Sequence, residues 1–182
     1  MKRLVVFVVA GFAVGLFLWL APRTCEGKAG LDWPEVQARI ERRFPDIRQI
    51  DTAELAAWLA DGARVQPVFI DARARQEFEV SHLPGAMHAE GTDEVLRLLR
   101  GVPEDRPVVV YCSVGWRSAV VTDAVRQRGK ANIWNLRGSI FQWANEGRPL
   151  EREGAPTHVV HPYDREWGVL LSRELWSKDF PR

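Results

Sequence analysis

The stretch VVVYCSVGWRSAV, residues 108–120, puts a cysteine where an apolar run gives way to a loop of small and polar residues. Two readings of Cys112 follow. In one it is an inert thiol filling the end of a buried strand, as cysteine often is. In the other it is a nucleophile inside an anion-binding turn, and the residues after it favour this. Gly115 lets the chain curl without a side chain in the way. Arg117 adds a full charge and a fork of donors. The N–H groups of the turn, with the free N–H groups of a helix starting near Arg117 or Ser118, point at a common centre. Each of these favours a thiolate, which lowers the thiol pKa and raises its reactivity at neutral pH. The same donors suit a sulfonate or a phosphate. The candidate nucleophile is therefore Cys112, and the candidate anion- and substrate-binding loop is Ser113, Val114, Gly115, Trp116, Arg117 and Ser118.

A nucleophile at a strand end needs a sheet to hold it. PVVVYC is the strongest strand signal in the chain, and DIRQI, VFIDA and ANIWNL are further strands. DWPEVQARIERRF places Val36, Ile40 and Phe44 four apart, with Pro34 in a first turn and Pro45 as the stop. TAELAAWLADG reads as a helix with Thr52 as N-cap and Gly62 as its end. TDEVLRLLRG, RSAVVTDAVRQRG and SIFQWANEG complete the helices. Strands alternating with short helices imply a mainly parallel sheet covered on both faces. Ligands bind beyond the carboxyl ends of such strands, where Cys112 sits.

The loop resembles the active-site loop of rhodanese-like domains, in the C-x-x-G-x-R-S form common in single-domain members. FIDARARQEFEVSHLPGAMH is similar to the family's I-D-x-R … E-[YF]-x-x-G-H-I-P-G-A segment, and NLRGSIFQW to its L-x-G-G-I-x-x-W. The resemblance covers about residues 47–150. It implies an α/β fold with a five-stranded parallel sheet flanked by helices. It also implies a sulfurtransferase, moving a sulfane sulfur from a donor such as thiosulfate or a persulfide to a thiol or cyanide through a Cys112 persulfide. Within this resemblance, sulfurtransferase-type members keep a six-residue loop, here Cys112 to Arg117, whereas the related dual-specificity phosphatases have C-x5-R. Arg117 comes one place too early for the latter. No metal or organic cofactor is expected, since the four histidines lack close ligand spacing.

The resemblance assigns supporting roles too. Asp71 and Arg73 are expected beside the loop, bracing it through hydrogen bonds. His82 holds a His-x-Pro-Gly turn, and Trp116 either shapes the pocket mouth or shields the loop. Ser81 and Ser139 stand where the family carries glycine, altering backbone freedom near turns without touching the nucleophile. Ser113 stands where some active members carry arginine, leaving a less cationic pocket in which thiosulfate is a poor donor. The alternative function is a non-catalytic rhodanese-like binding module tethered to a membrane.

The 182 residues, 46% hydrophobic and 27% charged, give one ordinary domain plus extensions. A net charge of +1 gives no bulk pull toward nucleic acid, and no nucleic-acid partner is expected. Leu4 to Ala21 carries no charge and as a helix would reach about 27 Å, near the roughly 30 Å of a bilayer core. An uncleaved anchor and a cleaved signal peptide both fit, and the length favours the anchor. The flanking charges place the folded part outside the cytoplasm, on the periplasmic side. The expected organisation is an anchor or signal peptide at 1–21, a linker at 22–31, a helical lead-in at 32–46, the domain at 47–150 and an extension at 151–182. Cys25 reads as a linker residue, and two cysteines so far apart make no disulfide scaffold. In the extension Trp167, Leu170, Leu171 and Leu175 suggest one helical face, which either packs back on the domain or forms a docking surface for a protein partner with Tyr163 and Trp176 as aromatic anchors. His158 and His161 carry no assigned role.

Overall fold

Val108–Tyr111 (β4) runs through the middle of the sheet with all four residues buried. Val109 and Tyr111 pack into one core and Val108 and Val110 into a second. That is the two-residue alternation of a strand covered on both sides. The protein is seen here in a computed structural model that describes residues 31–178. The apolar stretch 4–21, the linker up to residue 30 and Cys25 lie outside the described residues. Among the described residues no helix is long and apolar enough to cross a membrane.

Around β4 the order is β1 (Arg48–Ile50), β5 (Ile133–Leu136), β4, β2 (Val68–Asp71) and β3 (Met87–His88), with every neighbouring pair parallel. This is the expected five-stranded parallel sheet. On one face α1 (Trp33–Arg43), α2 (Thr52–Ala60) and α6 (Ser139–Asn145) bury Val36, Ile40, Leu55, Trp58, Ile140 and Phe141. On the other, α4 (Thr92–Leu99) and α5 (Trp116–Gln127) bury Val95, Val121 and Val125. The short α3 (Arg75–Val80) follows β2. Thr52 is not the N-cap of α2. Asp51 is, because its carboxylate accepts from the Glu54 N–H at 2.7 Å while Glu54 returns a bond to the Asp51 N–H. Thr52 is buried, and its hydroxyl donates to Glu146 at 2.7 Å.

The extension does not form the expected helix. A hairpin of β6 (Leu150–Arg152) and β7 (Ala155–Thr157) comes first, pinned to the His82 turn by reciprocal backbone bonds between His82 and Glu151. The chain then makes two short 3-10 turns, Trp167–Leu170 and Arg173–Leu175, separated by extended backbone at Leu171 and Ser172. Asn145, at the end of α6, explains the break. Its amide donates to the Leu170 carbonyl and accepts from the Ser172 N–H, both at 2.8 Å, supplying bonds that a continuous helix would have made internally. The segment still packs on the domain as expected, with Val160, Leu170 and Leu171 in the core.

Replacing Asn145 with alanine removes both bonds and is expected to cost about 1 kcal/mol or somewhat more. A lowered urea midpoint with an unchanged slope would bear this out. An unchanged midpoint would mean that apolar contacts alone hold the tail.

Candidate active site

Cys112 follows directly on β4, and its position is set by the start of α6. The Cys112 carbonyl accepts from the Ile140 N–H and the Ser113 carbonyl from the Phe141 N–H, each at 3.1 Å. The Cys112 N–H donates to the Ser139 hydroxyl at 3.1 Å, which in turn donates to the Leu136 carbonyl at 3.0 Å. Ser139 therefore does touch the nucleophile's backbone, contrary to expectation. It adopts φ 50°, the left-handed conformation that glycine takes most easily, and uses its hydroxyl to lock the loop's first residue.

The turn itself closes at Gly115, which has φ 108° and caps α5. The helix begins at Trp116, one to two residues earlier than the sequence suggests. A side chain at Gly115 would be strained by that φ and would meet Ile40 and the Leu136 carbonyl at 3.4 Å. The same residue donates its N–H to the Cys112 sulfur at 3.2 Å. Burial of Cys112 opposes its ionisation, but the Arg117 charge, the Ser118 N–H and hydroxyl and the Gly115 N–H outweigh it. The thiol pKa is thereby lowered from its ordinary value. The Ser118 hydroxyl has one proton, which it gives to Asn135 Oδ1 at 2.6 Å, so the part of Ser118 left to favour the thiolate is its N–H.

The residue that organises the loop is Glu77 of α3. Its carboxylate accepts a parallel pair of bonds from Arg117, both 2.7 Å, and a bond from the Ser113 hydroxyl at 3.0 Å. Ser113 also accepts from Arg117 at 2.9 Å, which closes the triangle. Burial works against the Glu77 carboxylate, yet Arg117, Arg73 and the Ala74 N–H hold its pKa below the usual range. The motif quoted for the family contains Glu77, but its partner lies forty positions away and one sequence does not announce the pairing.

Asp71 and Arg73 are placed differently from expectation. They form a fully buried ion pair, with Arg73 Nη2 at 2.7 Å from Asp71 and at 2.5 Å from the Ser81 carbonyl. Neither bonds to residues 112–118. Their hold on the loop runs through Tyr111, which is the strand partner of Asp71 and whose hydroxyl accepts from the Leu83 N–H at 3.0 Å. His82 is structural, as expected: it stacks on Phe78 at 3.9 Å and its Nδ1 lies 3.0 Å from the Phe78 carbonyl. Ser81, with φ −172°, occupies extended backbone open to any residue.

A cavity of about 110 Å³ opens onto Cys112, lined by Ser113, Val114, Trp116, Arg117, Tyr163 and Trp167. Trp116 is steadied by an edge contact with Phe44 of the lead-in, 5.6 Å between ring centres. Tyr163 lies over the Arg117 guanidinium at 4.7 Å. His161 faces the same cluster. Its pKa is lowered by burial first and by the charges of Arg73 and Arg117, against the pull of Glu77. Larger hollows exist, including one of about 670 Å³ between the start of α1 and the tail, but no cysteine lines it. Trp176, the other aromatic of the tail, donates to the Leu171 carbonyl and stacks under Arg173.

The sheet order and the cysteine loop at its carboxyl edge define a class, and comparison agrees. Residues 51–146 match the profile of the rhodanese-like domain, and the chain belongs to that family. A sulfurtransferase of Allochromatium vinosum is 33% identical over 104 residues, covering 57% of this chain and 94% of that protein. A tRNA uridine(34) hydroxylase of Cronobacter sakazakii is 28% identical over 134 residues, but the match spans only 37% of that protein. Among solved structures, a thiosulfate sulfurtransferase from Pseudomonas aeruginosa shares the fold, with a TM-score of 0.55 and 24% identity over 71% of this chain and 25% of that one.

The lowered Glu77 pKa has a consequence for stability. Its contribution is present above the pH at which an unfolded glutamate titrates, about 4.3, and is lost as pH falls through the folded value. Between about pH 5 and pH 3 the unfolding midpoint of Glu77→Gln is therefore expected to vary less than that of the unsubstituted protein. Parallel pH profiles would mean that Glu77 titrates as it does when unfolded.

Proposed function

We propose that the protein transfers sulfane sulfur through a persulfide on Cys112. In the first half-reaction the thiolate attacks the outer sulfur of a donor R–S–S⁻ or thiosulfate. The new Cys112 S–S bond forms as the donor's own S–S bond breaks, and the electron pair leaves with the thiolate R–S⁻ or with sulfite. In the second, an acceptor thiolate attacks the terminal sulfur, taking it as a persulfide and returning Cys112 as a thiolate. Splitting one transfer in this way is covalent catalysis. The role of Gly115 and Ser118 is to hold negative charge at the sulfur with donors already in place. The observation that carries this reading is the Gly115 N–H aimed at Sγ from a left-handed cap, at the mouth of a small cavity.

Two features favour sulfur over phosphate and an organic persulfide over thiosulfate. The parallel N–H pair of Arg117, the natural fork for a phosphate or sulfonate, is taken up by Glu77. With those bonds committed, a dianionic donor finds no free fork at Arg117. We further propose that residues 4–21 tether this domain to a membrane with its folded part outside the cytoplasm, on the strength of their uncharged length.

Intact mass of the full chain, before and after incubation with thiosulfate or an alkyl persulfide, tests the reading. The expected result is a gain of one sulfur atom, larger with the alkyl persulfide, removed by cyanide and absent in Cys112→Ser. No gain from either donor, with Cys112 still open to alkylation, would favour a binding module instead.

A further inference from the structure

The part of the chain outside the family match closes over the nucleophile. Tyr163 and Trp167 belong to the extension, yet both line the Cys112 cavity together with Trp116 of the loop. Three aromatic side chains therefore surround the approach to the sulfur.

These residues are held there by more than chance packing. Tyr163 has φ 67°, the left-handed region that a bulky L-residue rarely enters. It is 44% exposed, so no demand of the core puts it there. Its ring instead sits over Arg117, and its N–H donates to His161 Nδ1 at 3.0 Å. The segment is fastened on either side. Val160 pairs with Trp176, donating its N–H to the Leu175 carbonyl at 2.7 Å and accepting from the Ser177 N–H at 3.0 Å, and Asn145 holds the Leu170–Ser172 break. Next to Trp167, Gly168 lets the Trp176 ring lie against the backbone: a β-carbon there would come within 2.5 Å of that ring. Backbone strain maintained by its surroundings, beside a reactive group, points to a job for the strained residue.

We propose that Tyr163 and Trp167 are specificity-determining residues, forming a fixed aromatic roof that admits a slender, unbranched alkyl persulfide or thiol to Cys112 and turns away branched or bulky ones. This deepens the sulfurtransferase reading and rests on it. The cavity is small, about 110 Å³. A terminal S–S and the methylene behind it fit such a space, whereas a branched carbon next to sulfur adds bulk at the aromatic walls. Apolar faces favour an alkyl stem, and Arg117 and Ser113 are turned to Glu77 rather than free for a polar head.

The test uses the full chain and two single variants. Tyr163→Asn removes the ring with a residue that tolerates left-handed backbone, and Trp167→Leu keeps an apolar side chain. Alkylation of Cys112, followed on its own peptide by mass, is compared for iodoacetamide and N-phenylmaleimide. Sulfur loading is compared for n-propyl and tert-butyl persulfide. In the unsubstituted protein the slender member of each pair is expected to win, and in either variant the bulky-to-slender ratio should rise by about tenfold or more. Ratios unchanged in both folded variants, with n-propyl persulfide still loading sulfur, would overturn the roof and leave the sulfurtransferase reading standing. Loading by no donor, with the alkylation ratio still rising, would overturn the sulfurtransferase reading and leave the roof as a steric filter.

Discussion

The forked ion pair between Glu77 and Arg117 is the contact on which the rest of the site depends. It crosses from α3 to the first turn of α5 and holds the cysteine loop between them. A carboxylate only 2% exposed is costly to bury, and the cost is met because all its bonding capacity is used: two bonds from Arg117, one from Ser113 and one from the Ala74 N–H. Such a pair adds little to stability compared with apolar packing, but removing one partner strands the other, at about 3–5 kcal/mol. Its value here is positional. It orients the guanidinium beside the sulfur while occupying the N–H fork that would bind a free anion.

The sulfur is thus activated mainly by local geometry. Arg117 favours the thiolate through space, and the two backbone N–H groups of the curled loop favour it by contact. That curl requires the left-handed cap at Gly115, and the cap requires the loop's first residue to be fixed. Ser139 and the start of α6 fix it from one side. The buried Asp71–Arg73 pair does so from the other, one residue upstream, through Tyr111. The parallel sheet supplies the stiff platform, because β4 is buried on both faces and cannot shift without disturbing two cores.

Much of this was legible in the sequence because the reactive residues are contiguous. Cys112, Gly115, Arg117 and Ser118 fall within one turn, and the apolar run before them marks the strand. The alternation of strands and helices was readable for the same local reason, although β3 was too short, at two paired residues, to stand out. What was not legible depends on partners far along the chain. Glu77 reaches Arg117 across forty positions, and Asn135 meets Ser118 across seventeen. The tail carries helical spacing, but Asn145 from another element interrupts it at Leu171. The placement of Tyr163 and Trp167 over the cysteine has no local signal in the sequence either.

The central claim is that these contacts together lower the Cys112 pKa despite its burial. Titration of the thiolate's ultraviolet absorbance in the full chain carrying Cys25→Ser, which leaves Cys112 as the only thiol, tests it most directly. The account requires a midpoint below that of a free cysteine, about 8.5. A midpoint at or above that value would mean that burial prevails over Arg117 and the loop amides, and would contradict the account.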